Sequence, residues 1–157
     1  MIAVGIDVGK KGGIAFINVK TLQAEVYKMS EDLTDLIALF ERKKKEDTIV
    51  VGVEKQQPFP RQGVVSTFRL GVQYGIILGI LKTLRISYEE IHPKRWQVAI
   101  LGRHKKKTRK EIKQLSLEKA KALFPYLANE IGKHDGKSDA LLIAEYMRRC
   151  LIKNELF

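Results

Sequence analysis

The sequence predicts an α/β fold with a mixed five-stranded sheet and helices on both faces. Three observations predict it. Three short strand-like segments, IAVGIDVG, GGIAFINV and QAEVYKM, follow one another at the start of the chain. Helical and strand patterns then alternate, giving the order βββαβαβα with a helical insertion before the last helix. The segment TIVVGVE is β-branched and apolar on both sides, which suits a central strand lying parallel to a neighbour. Helices covering both faces of such a sheet complete the packing. A chain of 157 residues is sized for one domain, spanning 1–157, whose core needs no disulfide or structural metal.

Each element has a local reason. The Gly12-Gly13 pair marks a tight turn between the first two strands, so the first three strands form an antiparallel meander. Ser30 is expected to cap the first helix, with Glu31 and Asp32 in its first turn. Leu33, Leu36, Ile37 and Phe40 supply its apolar stripe, and ERKKKED its solvated end. QQPFPRQG is a loop held by two prolines. A long helix runs from about Val64 to Leu84, and ISYEEIH is the fifth strand. HPKRWQVAIL starts a short helix with Pro93 near its N-terminus, and Trp96 on it suits core packing. The basic segment leads into a helix ending near ALFP. KHDGKSD opens the last helix, whose apolar face is Ile143, Tyr146, Met147, Cys150 and Leu151.

Composition narrows the function classes. Cys150 is the only cysteine, which excludes an intrachain disulfide framework and a Cys-based zinc site and fits a reducing compartment. No basic leader precedes an apolar stretch, and GIILGIL is too short to span a bilayer, so a soluble intracellular protein is expected. The formal net charge is +11. Between Lys94 and Lys121 stand 11 basic residues and two acids, so +9 of that charge sits in one segment. A concentration of this kind points to a polyanion, nucleic acid before an acidic protein or a membrane surface.

Two predicted interior strands carry acids. Asp7 follows IAVGI and Glu54 ends TIVVGV. A charge on a buried strand is costly unless it is paired or bound to metal. Asp135 and Asp139, spaced i, i+4 at the start of the last helix, can share one helical face. Each has a plainer reading: Asp7 as a turn residue, Glu54 paired with Lys55 or another lysine, Asp135 as an Asx-turn and cap. Taken together in a basic chain, four acids suit Mg²⁺ or Mn²⁺, hard cations that take oxygen ligands. Two such ions could serve phosphodiester cleavage.

These residues form a familiar pattern. GIDVGKKGGIAF, VEKQQPFPRQGVVSTFRLGVQYGIILGIL, HPKRWQVAIL and HDGKSDALLIAEY together resemble RuvC-type Holliday junction resolvases of the RNase H-like superfamily, in a compact phage-like form. The resemblance covers the chain nearly end to end and implies an RNase H-like fold. It implies a cytoplasmic homodimer, in a bacterial or phage-infected host cell, that nicks two strands of a four-way DNA junction with Mg²⁺ or Mn²⁺, about two ions per site. Asp7, Glu54 and Asp139 fall on the family's catalytic, metal-binding acids. The family places a further acid or histidine where this chain has Gly136, so Asp135 is the substitute and His134 its competitor as ligand, general base or phosphate contact. Lys113 matches a family lysine near the scissile phosphate, with Lys107 and Lys110 as competitors.

The same resemblance implies DNA contacts. Phe59, between two prolines, stands for an aromatic that stacks on an unpaired base or wedges the junction, with Arg61 and Gln62 beside it. Lys10 and Lys11 in the first turn would meet a phosphate, as would Arg103, Lys105, Lys106, Lys107, Arg109, Lys110 and Lys113. Gly71, Gly75 and Gly79 recur every fourth residue on the long helix, at about 1 kcal/mol of helix propensity each. Such spacing calls for a close approach, either to the sheet or, as the resemblance implies, to a second copy across a dimer interface. Two other readings stay open: a nuclease acting on RNA–DNA hybrid or other branched DNA, and a non-catalytic junction-binding protein.

Overall fold

The computed structural model describes residues 1–58, 63–103 and 107–153. Five strands, β1 (Ile2–Asp7), β2 (Gly13–Asn18), β3 (Ala24–Lys28), β4 (Ile49–Glu54) and β5 (Ser87–Ile91), form one sheet in the order β3-β2-β1-β4-β5. The meander β1-β2-β3 is antiparallel, and β1-β4 and β4-β5 are parallel. The mixed five-stranded sheet expected from the sequence is therefore present, with β4 inside it.

The described residues form six α-helices, α1 (Leu33–Glu46), α2 (Val64–Thr83), α3 (Pro93–Leu101), α4 (Arg109–Leu123), α5 (Ala128–Ile131) and α6 (Asp135–Ile152). A 3₁₀ turn, Pro125–Leu127, joins α4 to α5. Strand alternation divides the core. Ile2, Val4, Ile6, Val51 and Val53 face α1 and α2, meeting Leu36, Phe40, Ile77 and Leu81. Ala3, Ala15, Val50 and Ile91 face the other way, against α3, α4 and α6.

Helix α6 departs from the single apolar face expected of it. Every residue from Ala140 to Met147 is buried. The helix lies between the sheet and a further layer made by α3 and α4, so it has almost no solvated side. Glu145, buried on this helix, is held by Arg148 and Arg149. Glycines set the closeness of this packing. A Cβ on Gly5 would overlap the Ala140 carbonyl and the Ala144 amide. At the end of the sheet, Gly12 in the β1–β2 connection and Gly13 at the start of β2 meet Gly136 in the first turn of α6, backbone to backbone.

Three local expectations need correction. Asp32, not Ser30, caps α1, accepting the Thr34 amide at 2.8 Å; the Ser30 hydroxyl supports the Asp32 amide at 3.1 Å. The end of α1 is not wholly solvated, because Lys43 is buried, ion-paired with Glu25 and Glu46 and lying over the Phe16 ring. Gly71, Gly75 and Gly79 do not pack on the sheet: a Cβ on any of them would meet nothing within 4 Å. The α2 face around them exposes Val65, Phe68, Val72 and Ile76. By length and composition α2 is also apolar enough to cross a membrane, although its Ile77 and Leu81 are buried under the sheet.

The contrast between glycines gives a prediction. Gly5→Ala should destabilise the protein by about 3 kcal/mol or more, since rigid backbone must move. Gly75→Ala should leave the monomer's stability unchanged or raise it by up to about 1 kcal/mol. Urea denaturation of both variants checks the pair.

Candidate active site

Strands β1 and β4 run in parallel with Gly5 beside Gly52 and Ile6 beside Val53. One step further, Asp7 and Glu54 end the two strands at the same edge of the sheet. Both belong to the alternation that faces α6, the face on which Gly5 and Gly52 leave room. The carboxyl ends of adjacent parallel strands are where open α/β sheets usually form their sites. Here they open into a cleft of about 820 Å³.

The other walls come from α6 and α4. Asp139 stands in the second turn of α6, one residue before the Ala140 carbonyl that lies against Gly5. Asp135 stands at the first position of the same helix, and both acids line the cleft. Arg109, Ile112, Lys113 and Ser116 recur at helical spacing along α4 and form the opposite wall. Lys113 is ion-paired with Asp135. The sequence thus places four acids in three elements, β1, β4 and α6, and the fold brings all four to one cleft with basic residues facing them.

The acids are electrostatically unequal. Burial raises the Asp7 carboxyl well above its ordinary range, and the charges of Glu54, Asp139 and Asp135 add to this. Glu54 is pushed up to about 7, first by burial and then by Asp139, against the opposing pull of the Trp96 hydrogen bond and Arg109. Burial and Asp135 push Asp139 up to about 6, against the hydrogen bond from Ser116. Asp135 goes the other way: burial would raise it, but the hydrogen bond and charge of Lys113 outweigh that. Asp139 Oδ1 is buried with no hydrogen-bond partner among the described residues. A buried, unpaired carboxylate oxygen beside further acids is the donor chemistry a hard cation requires. Among the described residues, no three His, Cys, Asp or Glu side chains stand close enough to enclose one ion.

Other sequence-predicted residues find varied places. Lys11, Arg109 and Lys113 line the cleft, whereas Lys10, Arg103, Lys107 and Lys110 are exposed outside its lining. Phe59, Arg61, Gln62, Lys105 and Lys106 lie outside the described residues. His134 does not line the cleft. It caps α6, its Nδ1 accepting the Lys137 amide at 3.2 Å, the capping role considered for Asp135. Gly136 stands where the resolvase pattern has an acid or histidine, and a Cβ there would strike the Lys11 carbonyl. No side chain fits at that point unless the β1–β2 connection moves. Among the described residues Glu54 makes no lysine pair; its Oε2 accepts the Trp96 indole N–H at 2.7 Å.

Sequence reading missed Trp96 as a partner of the site, along with Gln56, Gln97 and Ser116 in or beside the cleft. Trp96 is fully buried, as expected, and a buried indole N–H needs an acceptor. That requirement was the available signal, although nothing in the linear sequence pairs residue 96 with residue 54.

No family model and no curated protein matches the sequence. Among solved structures, Thermus thermophilus RuvC aligns with a TM-score of 0.61 at 18% identity, covering 99% of this chain and 96% of that one. T. thermophilus RuvC in complex with Holliday junction substrate gives the same values. The fowlpox virus Holliday junction resolvase aligns with a TM-score of 0.56 at 14% identity, covering 95% of this chain and 99% of that one. The likeness establishes a shared, RuvC-like fold over nearly the whole chain.

The raised carboxyls have a consequence for stability. A group whose folded pKa lies above its unfolded value stabilises the fold below the unfolded value, and that contribution is lost as pH rises through the folded one. For Glu54 the window runs from 4.5 to about 7, and for Asp139 from 3.8 to about 6, with Asp7 acting in the same direction. In EDTA, the melting temperature should therefore fall between pH 5 and pH 8. Asp139→Asn should flatten that fall, and calorimetric scans across the range measure both.

Proposed function

We propose that this protein is a metal-dependent, structure-selective endodeoxyribonuclease that resolves four-way DNA junctions by paired nicking. The observation that carries the reading is the cleft itself. Asp7 and Glu54 end adjacent parallel strands, Asp139 lies across from them, and Lys113 and Arg109 face them. The setting supports it: the fold is shared with T. thermophilus RuvC, described in complex with Holliday junction substrate, and with the fowlpox virus Holliday junction resolvase.

Asp7, Glu54 and Asp139 are the residues that would hold the cation, with Asp139 Oδ1 as an oxygen ready for it. Bound Mg²⁺ or Mn²⁺, one or a pair, would supply an acidified water and neutralise charge on the phosphate. Asp135 becomes a fourth donor only after Lys113 leaves it, and the freed ammonium is then available to a phosphate oxygen. Arg109 adds a second fixed cation on the same wall. The +11 chain, with its basic segment leading into α4, tracks the DNA backbone outside the cleft.

A four-way junction offers two equivalent strands, so paired nicking calls for two sites related by symmetry. The exposed α2 face, with Val65, Phe68, Val72 and Ile76 beside three open glycines, is the surface that a second copy would cover. A leucine at residue 75 would hold the two helices apart. Gly75→Leu should therefore sediment as a monomer where the unsubstituted protein sediments as a dimer; dimeric Gly75→Leu refutes this interface.

Catalysis is tested by incubating the protein with a labelled four-way junction, a linear duplex and an RNA–DNA hybrid, in Mg²⁺, Mn²⁺ or EDTA. Paired nicks confined to the junction, dependent on metal and abolished in Asp7→Asn, are expected. Tight junction binding without cleavage in any metal would instead make it a binding protein, and preferential hybrid cutting would make it a different nuclease.

A further inference from the structure

Asp7 and Asp139 have short side chains whose position follows closely from the backbone. Glu54 has a longer chain with more rotamers, so a fixed carboxylate there needs a separate restraint. The structure supplies one from the neighbouring strand and helix. Glu54 pairs in register with Ile91 at the end of β5, and the Lys55 amide continues the pairing to the Ile91 carbonyl at 2.9 Å. Two residues later Pro93 opens α3, with His92 as its cap. One turn into that helix, Trp96 reaches back to Glu54 Oε2 at 2.7 Å. The indole is fully buried within the core cluster that contains Ile91, Ile100 and Leu142. The backbone and the side chain of Glu54 are thus tied to one rigid unit, the β5–α3 junction.

We propose that Trp96 is a positioning residue for Glu54. Its indole N–H fixes the carboxylate at the end of β4 and commits Oε2, so that Oε1 is the oxygen available to a divalent cation in the cleft. The proposal rests on the cation-binding reading of that cleft and adds a residue that acts through Glu54. Partners that orient a metal ligand commonly change metal affinity when they are removed, by about 10- to 100-fold.

Trp96 is the only tryptophan in the chain. Growth of a tryptophan auxotroph on β-(3-benzothienyl)alanine therefore replaces it alone, with sulfur in place of the N–H and the ring shape preserved. Trp96→Phe is the encoded counterpart, and the analogue keeps the test valid if Trp96→Phe does not fold. Calorimetric titration of DNA-free protein with Mn²⁺ should show affinity about 10- to 100-fold weaker in the analogue protein, at unchanged circular dichroism. In the unsubstituted protein, Mg²⁺ should change the Trp96 emission, and Glu54→Gln should abolish that change. Equal Mn²⁺ affinity with and without the N–H overturns the positioning role while leaving the cation site standing. Absence of Mn²⁺ binding by the unsubstituted protein overturns the site reading and the proposal with it.

Discussion

The contact on which the site depends is the one between bare backbone at Gly5 and the backbone of α6 at Ala140 and Ala144. A helix normally stands off a sheet by the length of its side chains. Here it descends onto β1, and Asp139, one residue before the contact, arrives beside the strand that ends in Asp7. Gly12, Gly13 and Gly136 repeat the arrangement at the end of the sheet and fix the first turn of α6. Because the helix is buried on almost all sides, it has little freedom to lift away. The acids are held by packing on either side of them, which is how a core can retain charges that repel one another.

That repulsion is distributed unevenly, and the unevenness has chemical meaning. Asp7 and Glu54 are raised by burial and by neighbouring acids, and Asp139 by burial and Asp135, so each favours its neutral form more than a free carboxyl does. Asp135 is lowered by Lys113 and half-exposed at the helix start. It is already neutralised by the protein. The four acids thus divide into three raised by burial and by neighbouring acids and one lowered by an ion pair, a distinction invisible in their spacing along the chain. Trp96 makes a further distinction, since it binds the one acid whose side chain is long enough to wander.

Helix α2 shows a different economy. One side is committed to the sheet through Ile77 and Leu81, and its Tyr74 hydroxyl donates to Glu90 on β5. The other side carries large apolar side chains and glycines facing open space. Glycine spacing alone fits packing against the sheet or against another helix. Only the position of the helix on the sheet decides that these glycines are turned away from the core.

Much of the fold was legible in the sequence because its signals are local. The three leading strands, the two-sided apolar β4 and the periodic helices appear where patterning places them, within a few residues. The candidate acids were legible for a related reason: a carboxylate at the end of an apolar strand violates the local pattern, and the violation is visible without coordinates. The capping of α1 by Asp32, the capping of α6 by His134 and the burial of Lys43 were not, since each depends on which of several adjacent polar groups the chain geometry presents. The Trp96–Glu54 bond and the Lys113–Asp135 pair were hidden more deeply. Each joins residues 22 or more positions apart, and no periodicity encodes a contact between elements. By itself the sequence determined which residues carry charge on buried strands. Tertiary structure alone decided which of those charges meet, because only the packing of α6 on β1 sets the distances over which burial and Coulomb forces act.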